Sequence, residues 1–189
     1  KNDLQISITS DVHETSQVDK LSEFLDVIQI PAFLCRQTDL IKSAAQTKKI
    51  VNVKKGQFLS HKEVSNIIKK IENENNKKIL ITERGNSFGY NYLINDFKGI
   101  HFMKEFGYPI IFDSTHSVQL PGGLGKKSGG AREYVVPLSK AASSLRIAGF
   151  FIETHPNPEK ALSDGPNMIY LHKMPKLLNS INKINKAAK

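Results

Sequence analysis

One cysteine in 189 residues, Cys35, excludes an internal disulfide framework and fits a reducing compartment. No apolar run approaches the roughly 20 residues that a membrane helix needs, and the polar opening KNDLQ does not read as a secretory leader. Two glycine-rich stretches, 85–90 and 121–130, match neither the P-loop nor the GxGxxG spacing, so neither supports nucleotide binding. The net charge of +9 lacks the form of a nucleic-acid footprint, because lysine is scattered over helices and gathered in the tail rather than striped among aromatics.

What is present is enough for a real core, 39% apolar residues, and the chain reads as one domain over 1–189. Six apolar segments stop at polar residues: 5–12, 27–33, 50–53, 79–82, 109–113 and 148–153. Between them, 37–47, 61–73, 96–106 and 134–145 carry apolar residues at helical spacing, and a last amphipathic helix runs from Lys173 or Pro175 to Ala188. Ser60 with Glu63, and Asn95 or Asp96, supply helix starts. Strand then helix, repeated, predicts an α/β fold with a parallel sheet. The count of six leaves two architectures open, an open doubly wound sheet or a (β/α)8 barrel short of its first two units.

Every predicted strand ends in ionisable or amide groups: Asp11 with His13, Gln29 with Arg36 beyond it, Lys54, Glu83 with Arg84, Asp113 with His116, and Glu153 with His155. In α/β folds that end of the strand is where sites are built. Lys54 and Arg84 suit a small substrate bearing carboxylate and phosphate, one as a point charge and the other as a planar fork. The plainer alternatives are a solvated Lys54 beside Lys55 and an Arg84 paired with Glu83 or Asp113. His116, Glu153 and Asp164 offer one imidazole and two carboxylates, a donor set for zinc, iron(II) or manganese; hydrogen-bonded polar residues are the alternative. The basic, glycine-rich 121–130 segment fits a mobile lid or an ordinary surface loop.

The motifs DVHETSQ (11–17), IQIPAFLCRQTDL (28–40), NVKKGQF (52–58), ERGNSFGYNYL (83–93), FDSTHSVQLPGG (112–123) and ETHPNPEKALSDGPNM (153–168) together resemble the 3-deoxy-D-manno-octulosonate 8-phosphate synthase family. The resemblance is collinear over essentially the whole chain. It implies a TIM (β/α)8 barrel whose first two βα units, with their GPC or GPN and KANRSS segments, are expected ahead of Lys1. The implied reaction condenses phosphoenolpyruvate with D-arabinose 5-phosphate and water, releasing phosphate, in bacterial lipopolysaccharide synthesis. A cytoplasmic homotetramer with neither nucleic-acid nor membrane partners goes with it.

By the resemblance Gln29, Lys54 and Arg84 hold phosphoenolpyruvate, while Arg36, Ser128 and Asp164 contact the sugar phosphate, Arg36 across a subunit interface. His116, Glu153 and Asp164 match three metal ligands, His116 also being placed among the catalytic groups with Asp11, His13 and Lys54. Asp11 and His13 are candidates for managing protons at the new hydroxyl. The family has metal-dependent and metal-independent branches, marked by Cys or Asn in the expected front segment. A divalent metal, zinc, iron or manganese, is implied if that residue is Cys, and none otherwise. The text LSDGPN looks like the metal-dependent branch, and Cys35 reads as a small buried apolar residue. The nearest enzyme alternative is 3-deoxy-arabino-heptulosonate 7-phosphate synthase, using erythrose 4-phosphate. A basic nucleic-acid-binding domain is the alternative of another class.

Overall fold

β-Branched residues at alternate and consecutive positions drive the first half of the chain into a parallel ladder with helices laid against it. The computed structural model describes residues 3–89, 91–122 and 129–188. In chain order the elements are β1 (Thr9–Asp11), α1 (Thr15–Ser22), β2 (Val27–Ile30), α2 (Thr38–Gln46), β3 (Ile50–Lys54), α3 (Val64–Glu72) and β4 (Ile79–Glu83). There follow β5 (Asn86–Ser87), β6 (Leu93–Ile94), α4 (Phe97–Lys104), β7 (Ile110–Asp113), β8 (Gln119–Leu120), β9 (Gly129–Gly130), α5 (Val135–Ser144), β10 (Gly149–Phe151), β11 (Thr154–His155), β12 (Ile169–Tyr170) and α6 (Met174–Ala187). Two compact units divide the chain, Lys1–Thr82 with Phe102–Pro109, and Glu83–His101 with Ile110–Lys189.

In the first unit β1, β2, β3 and β4 pair in that order, all parallel. The register matters for the chemistry: Asp11 lies opposite Gln29, Gln29 opposite Asn52, and Lys54 opposite Thr82. Ile28, Ile30, Val51, Val53 and Ile81 are buried, as are Leu40, Ile41 and Ala44 of α2 and Ile67 and Ile71 of α3. Each fully buried side chain of this size stabilises by roughly 1.5–3 kcal/mol.

The expected elements stand, most with shorter bounds, while β3 and β4 each run one residue further, to Lys54 and Glu83. The first strand is confined to Thr9–Asp11 rather than 5–12, and the second gives way at Pro31 to a 3-10 turn over Ala32–Leu34. Helix α1 was not among the expected helices. Only Val18 of its eight residues is buried, and its start is capped by Gln17, whose amide oxygen accepts the N–H groups of His13 and Glu14 at 2.9 and 3.3 Å. Ser60 and Glu63 cap as expected, Ser60 N–H donating to Glu63 Oε2 at 3.0 Å, ahead of a 3-10 turn that leads into α3.

In the second unit β7 and β10 pair in parallel, with Asp113 opposite Phe151. Asp96 caps α4, accepting the Gly99 N–H at 2.9 Å. Helices α5 and α6 share a core of Val118, Val135, Ile169, Leu177 and Ile181, and Ser143 Oγ donates to the Ile181 carbonyl at 2.8 Å. Leu178, next to the buried Leu177, is exposed, because α6 buries a narrow stripe through Leu177 and Ile181. Among the described residues no helix is long and apolar enough to cross a membrane.

Candidate active site

The second unit's chemistry begins where β7 ends. Asp113 is fully buried, and its Oδ1 accepts the Thr115 and His116 N–H groups at 3.2 and 2.8 Å, shaping the turn into the 3-10 segment His116–Val118. Its Oδ2 lies 2.8 Å from His116 Nδ1. An ionised carboxylate can only accept, so that contact places an imidazole hydrogen on Nδ1, and in the neutral ring the lone pair is then on Nε2. Nε2 points to Glu153 Oε1 at 3.6 Å.

The third acid arrives on the long loop between β11 and β12. Those two short strands pair in parallel, and the Ile169 N–H donates to the Glu153 carbonyl at 3.1 Å, so the loop is tied at its base. At its far side Asp164 takes a left-handed backbone, φ +52, which Asp tolerates better than most residues. One ligand atom each from His116, Glu153 and Asp164 then lie within 4.8 Å of one another. With metal bonds of about 2.0–2.2 Å, ligand atoms around one ion sit about 3–4 Å apart, and a histidine whose other nitrogen is held by a carboxylate is the usual arrangement at such an ion. The donor set therefore fits a divalent cation.

Arg84 sits beside this triad. It is 4% exposed, its Nη2 donates to Gln119 Oε1 at 2.7 Å, and Gln119 Nε2 donates on to Asp164 Oδ1 at 2.7 Å. The buried Nη1 has no hydrogen-bond partner among the described residues. Burial pushes the guanidinium down from its ordinary value, while Asp113, Glu83 and Asp164 push it back up. A buried, charged fork with one unanswered donor is a place for an anionic oxygen.

A cavity of about 750 Å³ opens between Gln119, Arg132 and the loop residues 158–166. Arg132 clamps that loop, donating from Nη1 to Glu159 Oε1 at 3.1 Å and from Nη2 to the Gly165 carbonyl at 2.6 Å, with its guanidinium 4.8 Å above the Tyr170 ring. Glu159 is held below the usual carboxylate range chiefly by the Tyr170 hydroxyl. The same loop is seated through Gly130, where an added Cβ would lie 1.5 Å from Asn167 Oδ1 and 3.0 Å from the Pro166 carbonyl carbon. Gly130→Ala is accordingly expected to cost about 1–3 kcal/mol, the range for overpacking. Calorimetric melting checks this, and divalent-metal affinity should fall as Asp164 is displaced.

In the first unit Asp11 and Gln29, two of the polar groups expected at the strand ends, join Asn52 and Thr82 in a continuous hydrogen-bonded row. Thr82 Oγ1 donates to Asn52 Oδ1 at 2.8 Å, Asn52 Nδ2 to Gln29 Oε1 at 2.9 Å, and Gln29 Nε2 to Asp11 Oδ1 at 2.6 Å. Lys54, two residues beyond Asn52 on the same face of β3, is 6% exposed. The alternative of a solvated Lys54 beside Lys55 is therefore corrected. Lys55 is buried too, donating to the Gly56 and Leu59 carbonyls at 3.3 and 3.2 Å, which closes the turn after β3. Cys35 is fully buried, as expected, and burial raises its thiol.

His13 and Arg36 lie exposed, Arg36 offering its carbonyl to Lys70 Nζ at 3.1 Å. Ser128 and most of the proposed lid lie outside the described residues. His155 takes no part in the triad; its Nδ1 lies 2.7 Å from the Asn157 carbonyl oxygen and 3.0 Å from the Asn157 nitrogen, so it shapes the loop entry. Asp113, Gln119, Asn52 and Arg132 had no assigned site role from the sequence. A signal existed for two of them: Asp113 and Gln119 each stand three residues from His116, inside one quoted motif.

The DAHP synthetase I family profile matches residues 1–189. The chain belongs to the DAHP synthetase I family. Within it, the chain is 50% identical over 187 residues to a 2-dehydro-3-deoxyphosphooctonate aldolase of Cyanothece sp. PCC 7425, covering 99% of this chain and 68% of that relative. A protein of the same name from Geobacter sp. M21 is 52% identical over 185 residues, covering 98% of this chain and 68% of the relative. That from Pelobacter propionicus is 52% identical over 189 residues, covering 100% of this chain and 70% of the relative. The resemblance read from the motifs is thus a true family relationship, and the parallel strand and helix repeat belongs to its α/β fold.

Proposed function

We propose that this protein is a 3-deoxy-D-manno-octulosonate 8-phosphate synthase, joining phosphoenolpyruvate to D-arabinose 5-phosphate with release of phosphate. The observation that carries the reading is the geometry of the second unit, where a buried arginine with an unanswered donor stands one amide away from three convergent metal-ligand atoms. Identity of about 50% to relatives bearing the aldolase name over nearly the whole chain supports the substrate assignment. The finer architecture that goes with it is a (β/α)8 barrel, supported by the repeated strand and helix order. A cytoplasmic homotetramer, with Arg36 at a subunit boundary, rests on the family resemblance.

In this mechanism the methylene carbon of phosphoenolpyruvate bonds to the sugar aldehyde carbon while water adds at the enol carbon. The resulting hemiketal phosphate then breaks its carbon to oxygen bond and expels phosphate. Arg84 offers its free Nη1 to an anionic oxygen, and the family resemblance assigns Lys54, as a second cation, and Gln29 to phosphoenolpyruvate as well. Asp11, held by Gln29, and His13 handle the proton at the new hydroxyl, while Arg36, Ser128 and Asp164 address the sugar phosphate. His116, Glu153 and Asp164 would hold a divalent cation, zinc, iron or manganese, whose chemistry is to polarise the aldehyde or the attacking water. Asp113 keeps the His116 lone pair turned to that position.

Phosphate release from phosphoenolpyruvate, measured with the full chain, tests the reading. Arabinose 5-phosphate should be used at least about 10²-fold more efficiently than erythrose 4-phosphate, the scale of discrimination a polar sugar site provides. A reversed preference would transfer the protein to the heptulosonate branch. Chelation should abolish turnover and added manganese restore it; full activity in chelator would remove the metal from the mechanism.

A further inference from the structure

We infer that Gln119 is a positioning residue through which Arg84 sets the geometry of Asp164. The inference rests on the proposed anion and metal sites and adds a connection between them. The chemistry of the chain is one-directional. A guanidinium only donates and a carboxylate only accepts, so a single side chain that satisfies both must accept at one end and donate at the other. An amide does this. Gln119 receives Arg84 Nη2 on Oε1 and gives Nε2 to Asp164 Oδ1, both at 2.7 Å, which also settles which way its amide faces.

Three further observations make the link consequential. Arg84 is buried, so its orientation is set by its partners rather than by solvent. Asp164 sits on a left-handed residue at the far side of a long loop, where one directed hydrogen bond decides which carboxylate oxygen turns to His116 and Glu153. Gln119 is itself fixed, since it opens β8, paired antiparallel with β9, directly after the 3-10 segment that carries His116. A short, rigid segment therefore presents the histidine and the amide together, and Arg84 supports the metal-binding carboxylate without touching it.

The test turns on a sign. If Arg84 acted on the metal site only through its charge, Arg84→Met would remove a nearby cation and tighten Mn²⁺ binding. If Gln119 relays its position, Arg84→Met should loosen Mn²⁺ binding by about tenfold, the lower end of what losing a supporting partner of a ligand costs. Gln119→Met, close in volume and neutral like the original, should weaken Mn²⁺ by a similar factor and also weaken phosphoenolpyruvate, each measured by calorimetry without the other. In the Gln119→Met background Arg84→Met should no longer weaken Mn²⁺.

Tighter Mn²⁺ binding in Arg84→Met overturns the inference, as does unchanged Mn²⁺ and phosphoenolpyruvate affinity in Gln119→Met. If Arg84→Met does not fold, the two affinities of Gln119→Met decide. Wild-type protein whose Mn²⁺ binding is absent, or indifferent to His116→Ala, overturns the metal reading itself and the inference with it. Intact Mn²⁺ and phosphoenolpyruvate binding that Gln119→Met leaves untouched overturns the inference alone.

Discussion

Lys54→Met is expected to lower kcat/KM for phosphoenolpyruvate by about 10²–10³-fold, the scale of losing one preorganised donor to a charged reactant. The expectation comes from where β3 places the side chain. Lys54 follows Asn52 by two residues, so it shares the face on which Asp11, Gln29, Asn52 and Thr82 form their row, one step further toward the strand's C-terminal end. Lysine is seldom buried this deeply, and Lys54 is 6% exposed. Methionine keeps most of the stem's volume and removes only the charge. Steady-state kinetics with a direct phosphoenolpyruvate binding measurement would read the effect, and a melting curve would show that the fold persists. Unchanged kinetics in a folded variant would remove Lys54 from the reaction and leave it a structural cation.

Asp113→Asn carries the second large expectation, a loss of about 10–100-fold in divalent-metal affinity. The substitution hardly changes shape. An asparagine oxygen can go on accepting the Thr115 and His116 N–H groups now held by Asp113 Oδ1. What changes is the other atom, since an amide nitrogen at the position of Oδ2 donates to His116 Nδ1 instead of accepting from it. The imidazole hydrogen is then driven to Nε2, the atom aimed at Glu153, and its lone pair is lost to a metal. Removing a buried negative charge also takes away one of the carboxylates that sustain the Arg84 guanidinium. Titration with Mn²⁺ measures the affinity, and nitrogen NMR of the histidine reads the tautomer directly. Wild-type metal affinity with an unchanged tautomer would show that Asp113 serves the turn and not the ligand.

The alternation of apolar runs and amphipathic stretches was legible because burial imposes a period on the sequence: the six main strands and all but one of the helices lie where it places them. Helix α1 escaped because a single buried valine leaves almost no period to detect. The ribbons β5 with β6, β8 with β9, and β11 with β12 escaped for a related reason. Two residues per strand are too few to show alternation, and tertiary contacts rather than propensity hold them. Donor types were legible as well, since imidazole, carboxylate, guanidinium and ammonium groups at strand ends announce chemistry wherever the strands go.

Sequence by itself determined the fold class, the family and the kinds of group available, because periodicity, residue chemistry and collinear motifs are all written along one dimension. Only the tertiary structure decided which of those groups meet. His116, Glu153 and Asp164 converge because β11 and β12 close a loop that brings Asp164 back across many residues, and Asp113, an unassigned acid in the text, proves to aim the histidine. It also decided that Lys54 and Lys55 are both buried and that a single amide, Gln119, joins Arg84 to Asp164. Hydrogen-bond direction and burial depend on distances in space, and no spacing along the chain encodes them.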